Sequence, residues 1–479
     1  MNLKRRADLD TQPRHHLEGV LGVLTAVVWL AWSHDASALG VAVAAVAAIW
    51  LAGAALPLWL WPGDRHSTQQ MALASLASFA SAALLGFASG PPGGVALVLV
   101  LSALSFGGAG HAALAQERRY ACAPTPEMSA TLAAKVAIDE AMLAWFTLLV
   151  RTPVGEQARQ AACEAEQAEA QWEAQGWLEA PSAFHRPPPP TEHAQVRPVR
   201  VGRWHCEHVS LSSGYSPWPQ EPGGERWLAQ VRNQTSHARM LRHRDRPRPW
   251  LICIHGYRMG TGLGDLSMFS PQWLHRQLGL NLLLPVLPLH GARRSGWLSG
   301  DGFLDGDPMD VVHAEAQAVW DLRRLLEWLW RAHAAPAVGV FGISLGGYNA
   351  ALLSALEPAL SCVIAGIPAT DLAALQWRHA SRSPLRYMDS LGLTQARVQK
   401  LLTPVSPLAM PCLLERSRRF IFAASADRLV PPEQVVRLWQ HWQQPQIHWY
   451  QGGHLTFRAD PGVTRLIETA LRTTGIIDR

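Results

Sequence analysis

Four long apolar stretches follow one another in the first quarter of the chain. They cover Gly19–Ser33, Ala36–Trp61, Met71–Ser89 and Gly93–Gly110, and the gaps between them contain residues that favour turns. A helix needs about 20 apolar residues to cross the hydrocarbon layer of a membrane. The second stretch meets this length easily, the third and fourth are near the limit, and the first is short. The pattern predicts a membrane domain over residues 17–116 with about four transmembrane helices.

A signal peptide followed by buried core helices is the alternative interpretation of this pattern. Lys4, Arg5 and Arg6 before the first stretch are typical of a signal peptide, but a signal peptide does not explain three further stretches. A soluble core rarely supplies four nearly uncharged stretches in succession. Membrane insertion is therefore favoured. From residue 17 to residue 116 the charged residues are Glu18, Asp35, Asp64 and Arg65.

Positive charges lie on alternate flanks of the four stretches. Lys and Arg occur in segment 1–16, in the second gap at Arg65, and after the fourth stretch at Arg118 and Arg119, whereas the first and third gaps have none. Because cytoplasmic loops of membrane proteins are enriched in Lys and Arg, we expect both termini on the cytoplasmic side of the inner membrane. Six scattered cysteines without a Cys-x-x-Cys pair agree with a reducing compartment.

Residues 117–191 predict a helical connector that ends in a stiff linker. The stretch from 126 to 151 has the pattern of an amphipathic helix, and the polar stretch from 155 to 176 is expected to form a surface helix. Four consecutive prolines, Pro187–Pro190, favour an extended conformation. We place the boundary of the C-terminal domain, residues 192–479, at these prolines.

The C-terminal domain alternates short apolar runs with helical patterns, of which Asp310–His333 is the clearest helix. This alternation predicts the α/β class, with a parallel sheet that helices cover on both faces. The predicted strands are Val199–Val209, His237–Arg242, Trp250–Ile254, Leu280–Val286, Ala337–Phe341, Cys362–Ala365, Arg419–Ala423 and Gln446–Tyr450.

Composition and charge exclude several classes of protein. Of 479 residues, 48% are hydrophobic and 16% are charged, which excludes a disordered or fibrous chain. The net charge is +5, and the dense basic run Arg239–Arg248 lies between two predicted strands, where a solvated turn explains it. We therefore expect no nucleic-acid partner. The Cys and His residues lack the spacing of metal ligands, so we also expect no metal.

The pentapeptide Gly342–Gly346 has the form G-x-S-x-G and follows a predicted strand. In a strand-to-helix turn, this spacing holds the serine in a strained backbone conformation that exposes its hydroxyl at the edge of the sheet. Glycine at the flanking positions lets strand and helix approach closely. The motif predicts Ser344 as a catalytic nucleophile.

A serine nucleophile needs a base and an orienting carboxylate. His454 follows the predicted strand that ends at Tyr450, and Asp427 follows the predicted strand that ends at Ala423. The chain order Ser344, Asp427, His454 is the order of α/β-hydrolase triads. Asp371 is an alternative acid, although a helix N-cap is the favoured interpretation of that residue.

An oxyanion hole needs two preorganised donors. We expect one to be the backbone N–H of Leu345, directly after the nucleophile. The other is expected in the loop His255-Gly256-Tyr257, which follows a predicted strand, with the backbone N–H of Tyr257 as the donor.

Two further groups of residues have open interpretations. The polar residues between His290 and Asp301, which include Arg293 and Arg294, either bind a charged substrate group or order their own loop. The insertion Leu372–Leu402 either forms a small lid, with Trp377 and Met388 lining an acyl pocket, or is a plain surface excursion.

On these residues, the chain from about Val199 to its end resembles the α/β-hydrolase superfamily. Gly342–Gly347, the Asp427 loop and Gly452-Gly453-His454 are similar to the α/β-hydrolase domain-containing protein 18 group. The resemblance implies hydrolysis of an ester or amide through a seryl acyl-enzyme, without a metal or an organic cofactor.

The sequence therefore predicts an α/β-hydrolase fold preceded by a membrane domain, and a membrane-anchored serine hydrolase of carboxylic esters. Esterase, lipase and acyltransferase activities remain open, and the location favours a lipid or another hydrophobic ester. The alternative is a non-catalytic membrane protein that uses the hydrolase fold as a binding module. The oligomeric state is not indicated.

Overall fold

The computed structural model describes residues 16–60, 63–88, 92–150, 152–191, 193–304 and 307–478. The predicted cytoplasmic segment 1–16 lies almost wholly outside these residues. The chain forms two compact units. The first unit contains the described residues up to Leu149 together with two later segments, Ala424–Pro432 and Trp449–Asp460. The second unit contains Val150–Ala423, Glu433–His448 and the chain from Pro461 onward.

Five helices form most of the first unit. They are α1 (His16–Trp32), α2 (Ala38–Leu60), α3 (Arg65–Ala88), α4 (Pro92–Gln116) and α5 (Ala130–Leu149). Each apolar stretch of the sequence coincides with one of the first four helices to within a few residues. Among the described helices, α2 over Ala38–Leu58 and α4 over Gly94–Gln116 are long and apolar enough to cross a membrane. Helix α1 is shorter, and α3 is diluted by serine and glutamine, so four crossings stay a proposal.

Small and hydroxyl-bearing side chains fill the contacts among α1–α4. The Thr25 and Ser105 hydroxyls are 2.9 Å apart, those of Ser78 and Ser102 are 2.7 Å apart, and Trp29 Nε1 donates to Ser78 Oγ at 2.6 Å. Large apolar side chains point outward instead and are exposed. They include Leu24, Val27, Leu30, Leu39, Val46, Ile49, Leu84, Val100 and Leu104. Small residues at helix contacts and hydrogen bonds across them are typical of helices that pack in membranes.

Helix α5 packs against one end of this helical group. Gly110 of α4 touches the backbone of Ala133, so any side chain at 110 would collide with the Ala133 carbonyl. Thr68 near the start of α3 donates to Glu140 Oε2 of α5 at 2.6 Å. A shared apolar cluster also contains Ala426 from the second half of the chain. Helix α5 therefore links the end of α4 and the start of α3 to a loop that is nearly 300 residues away in sequence.

The second unit contains a nine-stranded sheet in the order β1-β2-β3-β5-β4-β6-β7-β8-β9, of which only the last residues of β8 and β9 are assigned to the first unit. Strands β4 to β8 pair in parallel, and β1, β2 and β3 pair antiparallel with each other and with β5. This mixed α/β architecture fits the α/β-hydrolase fold. The strands are β1 (Gln195–Val201), β2 (Trp204–Ser212), β3 (Thr235–Leu241), β4 (Trp250–Ile254), β5 (Asn281–Val286), β6 (Val338–Ile343), β7 (Cys362–Gly366), β8 (Arg419–Ala424) and β9 (Gln446–Tyr450).

The expectation of one strand over Val199–Val209 is wrong. The structure has two antiparallel strands there, β1 and β2, joined by a two-residue turn in which Val201 pairs with Trp204. Gly202 occupies the turn with φ of 56°, a conformation that two-residue hairpins require. The other predicted strands are confirmed to within three residues at each end.

In the part of the chain that the structure describes, ten α-helices accompany the sheet. They are α6 (Gly155–Gln175), α7 (Gly224–Leu228), α8 (Gly262–Met268), α9 (Pro308–His333), α10 (Leu345–Ser354), α11 (Leu372–His379), α12 (Arg382–Ser390), α13 (Gln395–Leu401), α14 (Pro432–His441) and α15 (Pro461–Thr473). The predicted long helix is confirmed as α9, which begins two residues earlier than expected. The Asp307 side chain caps it by accepting the Met309 N–H at 3.0 Å.

The expectation that residues 155–176 form a surface helix is confirmed, and one face of this helix, α6, is buried. Its alanines, among them Ala161 and Ala165, are buried and allow close packing. Trp172 is also buried. Its ring contacts Trp177 edge-to-face and Phe184 at a tilt, and its Nε1 donates to the Leu401 carbonyl at 3.0 Å. The polar composition of this helix describes only its solvent-facing side.

Trp172→Ala is expected to lower the free energy of unfolding by about 3–5 kcal/mol, because it removes a buried aromatic side chain and leaves a cavity. Trp297, which is 92% exposed, provides the matched control. Trp297→Ala should change the free energy of unfolding by no more than about 0.5 kcal/mol. Urea unfolding followed by circular dichroism measures both. Equal stabilities of the two variants would contradict the packing of α6.

Candidate active site

Ser344 lies between the end of β6 and the start of α10 in a strained backbone conformation. Its φ is 58° and its ψ is −116°, a region that a non-glycine residue occupies at a cost of about 1–3 kcal/mol. The Ser344 N–H donates to the Gly366 carbonyl at 2.9 Å, and the Ser344 carbonyl accepts the Ala369 N–H at 3.2 Å. The flanking residues are buried, whereas Ser344 is half-buried. Ser344 thus has the strained turn conformation that the motif predicts and is less buried than the residues on either side of it.

The glycines of the motif are required by close backbone contacts. A Cβ at Gly342 would collide with the Gly346 carbonyl, and a Cβ at Gly346 would collide with the Ile254 carbonyl of β4. Strand β6, helix α10 and strand β4 therefore approach closely only because both positions lack a side chain. The close approach of strand and helix that the motif predicts is therefore the reason for both glycines.

The loop after β4 lies beside Ser344. A Cβ at Gly256 would be 3.4 Å from the Ser344 Cβ, which puts the His255-Gly256-Tyr257 backbone next to the serine. Leu345 is the first residue of α10, so its N–H has no acceptor within the helix and lies at the positive end of the helix dipole. Both predicted oxyanion donors thus belong to segments that adjoin Ser344.

His255 fixes this loop through side-chain hydrogen bonds, a role that the sequence pattern did not indicate. The Leu287 N–H donates to His255 Nε2 at 3.1 Å, and His255 Nδ1 lies 2.8 Å from the Gly256 carbonyl. These partners fix a neutral tautomer with the proton on Nδ1. Burial lowers the pKa of His255, which agrees with the neutral form. The ring joins the loop after β4 to the loop after β5.

Asp427 and His454 form a buried hydrogen bond. Asp427 Oδ2 lies 2.7 Å from His454 Nδ1, and Asp427 Oδ1 accepts the Val430 N–H at 2.7 Å. Burial alone would lower the pKa of His454, but the charge and hydrogen bond of Asp427, together with the charge of Asp139, raise it overall. With Nδ1 donating to Asp427, neutral His454 has its lone pair on Nε2, which is the arrangement of a general base.

The loops that carry these two residues lie side by side at the carboxyl ends of β8 and β9. The Ser425 N–H donates to the Tyr450 carbonyl at 2.9 Å, and the Ala426 N–H donates to the Gly452 carbonyl at 3.1 Å. The structure thus brings Asp427 together with His454 in the first unit. It brings the Tyr257 loop and Leu345 together with Ser344 in the second unit.

Asp139 of α5 is a further residue that the sequence analysis missed. It is buried, and its carboxylate accepts the backbone N–H groups of His454 at 2.7 Å, Arg428 at 3.1 Å and Leu455 at 3.4 Å. Burial, and then the charge of Asp427, raise the pKa of Asp139 to about 7. The adjacent acidic pair Asp139-Glu140 within an otherwise largely apolar helix was the signal that could have identified it.

The structure assigns Asp371 to a helix cap. Its Oδ1 accepts the Ala374 N–H at 2.9 Å at the start of α11, and its Oδ2 pairs with Arg437 at 2.6 Å. The N-cap interpretation is confirmed. The insertion that follows consists of α11, α12 and α13, with Met388 buried and Trp377 half-buried. Its role as a lid stays a prediction.

The polar residues after β5 order their own loop. Arg293 is fully buried, pairs with Asp321 at 2.8 Å and donates to the Val286 carbonyl at 3.1 Å. His290 Nδ1 lies 2.8 Å from the Pro288 carbonyl, and Asp301 pairs with Arg258 at 2.7 Å. Arg294 is exposed, and its backbone carbonyl accepts a hydrogen bond from the Arg232 guanidinium. These contacts favour loop ordering over substrate binding.

Comparison of the chain with known proteins finds no matching family model. An uncharacterized protein of Mycobacterium tuberculosis strain CDC 1551 / Oshkosh is 44% identical over 304 residues, which cover 63% of this chain and 73% of that protein. A second, from strain ATCC 25618 / H37Rv, is 44% identical over 303 residues, which cover 63% and 72%. The resemblance to the α/β-hydrolase domain-containing protein 18 group stays a prediction.

Two solved structures similar to this chain are acetyl xylan esterases. Acetyl xylan esterase 1 from Thermoanaerobacterium sp. JW/SL YS485 is 16% identical to this chain, with a TM-score of 0.45. The match covers 64% of this chain and 93% of the esterase chain. The enzyme from Paenibacillus sp. R4 is 19% identical with a TM-score of 0.43, covering 63% and 93%. From its identity to the two mycobacterial sequences, this chain belongs to the same protein family as those uncharacterized proteins of Mycobacterium tuberculosis.

Proposed function

We propose that this chain is a serine hydrolase of carboxylic esters in which Ser344 is the nucleophile, His454 the base and Asp427 the orienting carboxylate. The observation that carries the proposal is the position of these three residues: each lies in a loop or turn that directly follows a strand of the same sheet. Ser344 follows β6, Asp427 follows β8 and His454 follows β9, in a sheet ordered β6-β7-β8-β9. The carboxyl ends of neighbouring parallel strands lie at one edge of a sheet, where α/β enzymes bind their ligands.

The proposed reaction begins when Ser344 Oγ attacks the ester carbonyl while His454 Nε2 takes the serine proton. Asp427, which already accepts the Nδ1–H, stabilises the imidazolium that forms. The imidazolium then protonates the leaving alkoxide, and the alcohol departs from a seryl acyl-enzyme. Water or another alcohol, deprotonated by the same imidazole, releases the acyl group and restores the serine.

Two backbone donors are proposed to stabilise the tetrahedral intermediate. The N–H groups of Leu345 and Tyr257 are the candidates, because both belong to segments beside Ser344. Loss of one such donor typically costs about 3 kcal/mol of transition-state stabilisation. The donors need no reorganisation during the reaction, because the glycine contacts and the His255 hydrogen bonds already fix the two segments.

We also propose that α1–α4 are inserted in the inner membrane with both termini in the cytoplasm. Large apolar side chains on the outside of these helices and small polar ones between them support insertion. Polar contacts gather at one end of the group, where Glu18 meets His111 at 2.7 Å and Thr68 meets Glu140. That end also contains Arg65, which agrees with a cytoplasmic location. A membrane location favours a lipid or another hydrophobic ester as substrate.

Ser344→Ala is expected to abolish labelling by an alkyl fluorophosphonate, which forms a covalent bond only with an activated serine. Gel fluorescence of the full-length chain measures the labelling. The control is Ser212→Ala at the exposed end of β2, which should label like the wild type. A folded wild type that stays unlabelled would contradict the enzyme proposal and favour the binding-module alternative.

The labelling rate is expected to fall as the pH falls through the pKa of His454, because only the neutral imidazole accepts the serine proton. Since Asp427 raises that pKa above 6.5, Asp427→Asn should move the midpoint of the acidic limb to lower pH and slow labelling at all pH values. Asp371→Asn, which weakens a helix cap, should leave the midpoint unchanged. A midpoint that shifts in Asp371→Asn and stays unchanged in Asp427→Asn would instead assign the role of the orienting carboxylate to Asp371.

The protein is expected to remain in the membrane fraction after extraction with alkaline carbonate, because its apolar helices lie within the bilayer. A reporter fused after Arg479 should be active only in its cytoplasmic form. Release by carbonate would contradict insertion, and a periplasmic reporter signal would contradict the orientation.

A further inference from the structure

The two loops that carry Asp427 and His454 share one buried acceptor. Asp139 Oδ2 accepts both the His454 N–H at 2.7 Å and the Arg428 N–H at 3.1 Å. A single carboxylate oxygen therefore binds the backbone of His454 and that of the residue after Asp427. Asp139 Oδ1 adds a longer contact to the Leu455 N–H at 3.4 Å. Removal of this carboxylate would leave buried backbone donors without a partner.

Gly453 makes this contact sterically feasible. A Cβ at position 453 would lie 2.6 Å from Asp139 Oδ2, which is closer than real Cβ atoms come to oxygen. The glycine before the histidine therefore has a function besides turn formation, since it lets the carboxylate of another segment reach the backbone of the His454 loop.

A second ion pair fixes Asp139 relative to the Asp427 loop. Arg428 Nε donates to Glu140 Oε1 at 2.6 Å, and the Arg428 guanidinium also contacts Glu117 at the end of α4. Glu140 in turn accepts the Thr68 hydroxyl of α3. Helix α5 is thus held on one side by α3 and α4 and on the other by the residues next to Asp427.

We propose that Asp139 is a positioning residue for catalysis, which binds the Asp427 loop and the His454 loop as one rigid pair and acts on the imidazole through its negative charge. The inference rests on the proposed serine hydrolase function and extends it. It makes the N-terminal helices part of the catalytic machinery, because α5 and its partners α3 and α4 supply the carboxylate that places the base.

Above its own pKa of about 7, Asp139 carries a negative charge that acts on His454 in the same direction as that of Asp427. Both carboxylates favour the imidazolium and oppose the effect of burial on the pKa of His454. Asp139→Asn should therefore make the imidazole a weaker base while its single carbonyl oxygen keeps the short bonds to the His454 and Arg428 N–H groups. The titratable and charged groups beside Asp139 and His454 are Asp427, Arg428 and Tyr450. Glu140, Glu117 and Arg65 lie around Arg428, and Asp460 acts on Tyr450.

The test is the rate of fluorophosphonate labelling of the full-length chain between pH 5 and pH 9, for the wild type, Asp139→Ala and Asp139→Asn. Asp139→Ala should label about 100-fold more slowly, because loss of the loop contacts misplaces the base. Asp139→Asn should recover most of this rate at high pH, and the midpoint of its acidic limb should lie below that of the wild type.

Glu164→Gln is the matched control. Glu164 is a buried carboxylate of α6 that pairs with Arg226 at 2.7 Å, and it belongs to the second unit. Its loss should lower the thermal unfolding midpoint without a change in the pH profile of labelling. Circular dichroism of each variant reports whether it is folded.

Wild-type rates and an unshifted midpoint in both Asp139 variants would overturn the positioning role, while the serine hydrolase proposal would stand. Absence of labelling in the folded wild type would overturn the hydrolase proposal instead. If Asp139→Ala does not fold, the midpoint of Asp139→Asn decides: a shift to lower pH supports the inference and an unchanged midpoint overturns it.

Discussion

The hydrogen bond between the buried Asp427 carboxylate and the His454 imidazole is the interaction on which the rest of the site depends. At 2.7 Å it fixes the tautomer of the ring and leaves the lone pair on Nε2. A buried imidazole without this partner would lose basicity, because burial disfavours its charged form. Asp139 accepts the backbone N–H of His454 and that of Arg428, the residue after Asp427, so it helps to fix both partners of this bond.

The serine is prepared by a different physical means. Its backbone is strained, with φ of 58°, and two close backbone approaches that only glycine allows, at Gly342 and Gly346, hold it in that conformation. Strain of about 1–3 kcal/mol persists only where the surrounding structure determines it, and here β6, α10 and β4 supply that structure. The proposed nucleophile and the proposed base therefore rely on separate sets of contacts, one in each compact unit.

The sequence predicted the elements whose signals are local. Strands β4 and β9 begin and end where expected, and the G-x-S-x-G turn has the geometry that its glycines imply. The Gly202 turn was missed because a single glycine in a segment of alternating polar and apolar residues does not reveal a two-residue hairpin. Asp139 was missed because its partners lie 289 and 315 residues further along the chain, and the local signal, an acidic pair in a largely apolar helix, does not indicate those partners. The buried face of α6 was hidden by alanines, which pack closely without raising hydropathy.

The most direct measurement is intact-protein and peptide mass spectrometry after brief reaction with an activated p-nitrophenyl ester and an acid quench. The mechanism predicts one acyl adduct, on the peptide that contains Ser344, and its absence in His454→Ala. An adduct on another residue, or no adduct in a wild type that hydrolyses the ester, would contradict the seryl acyl-enzyme.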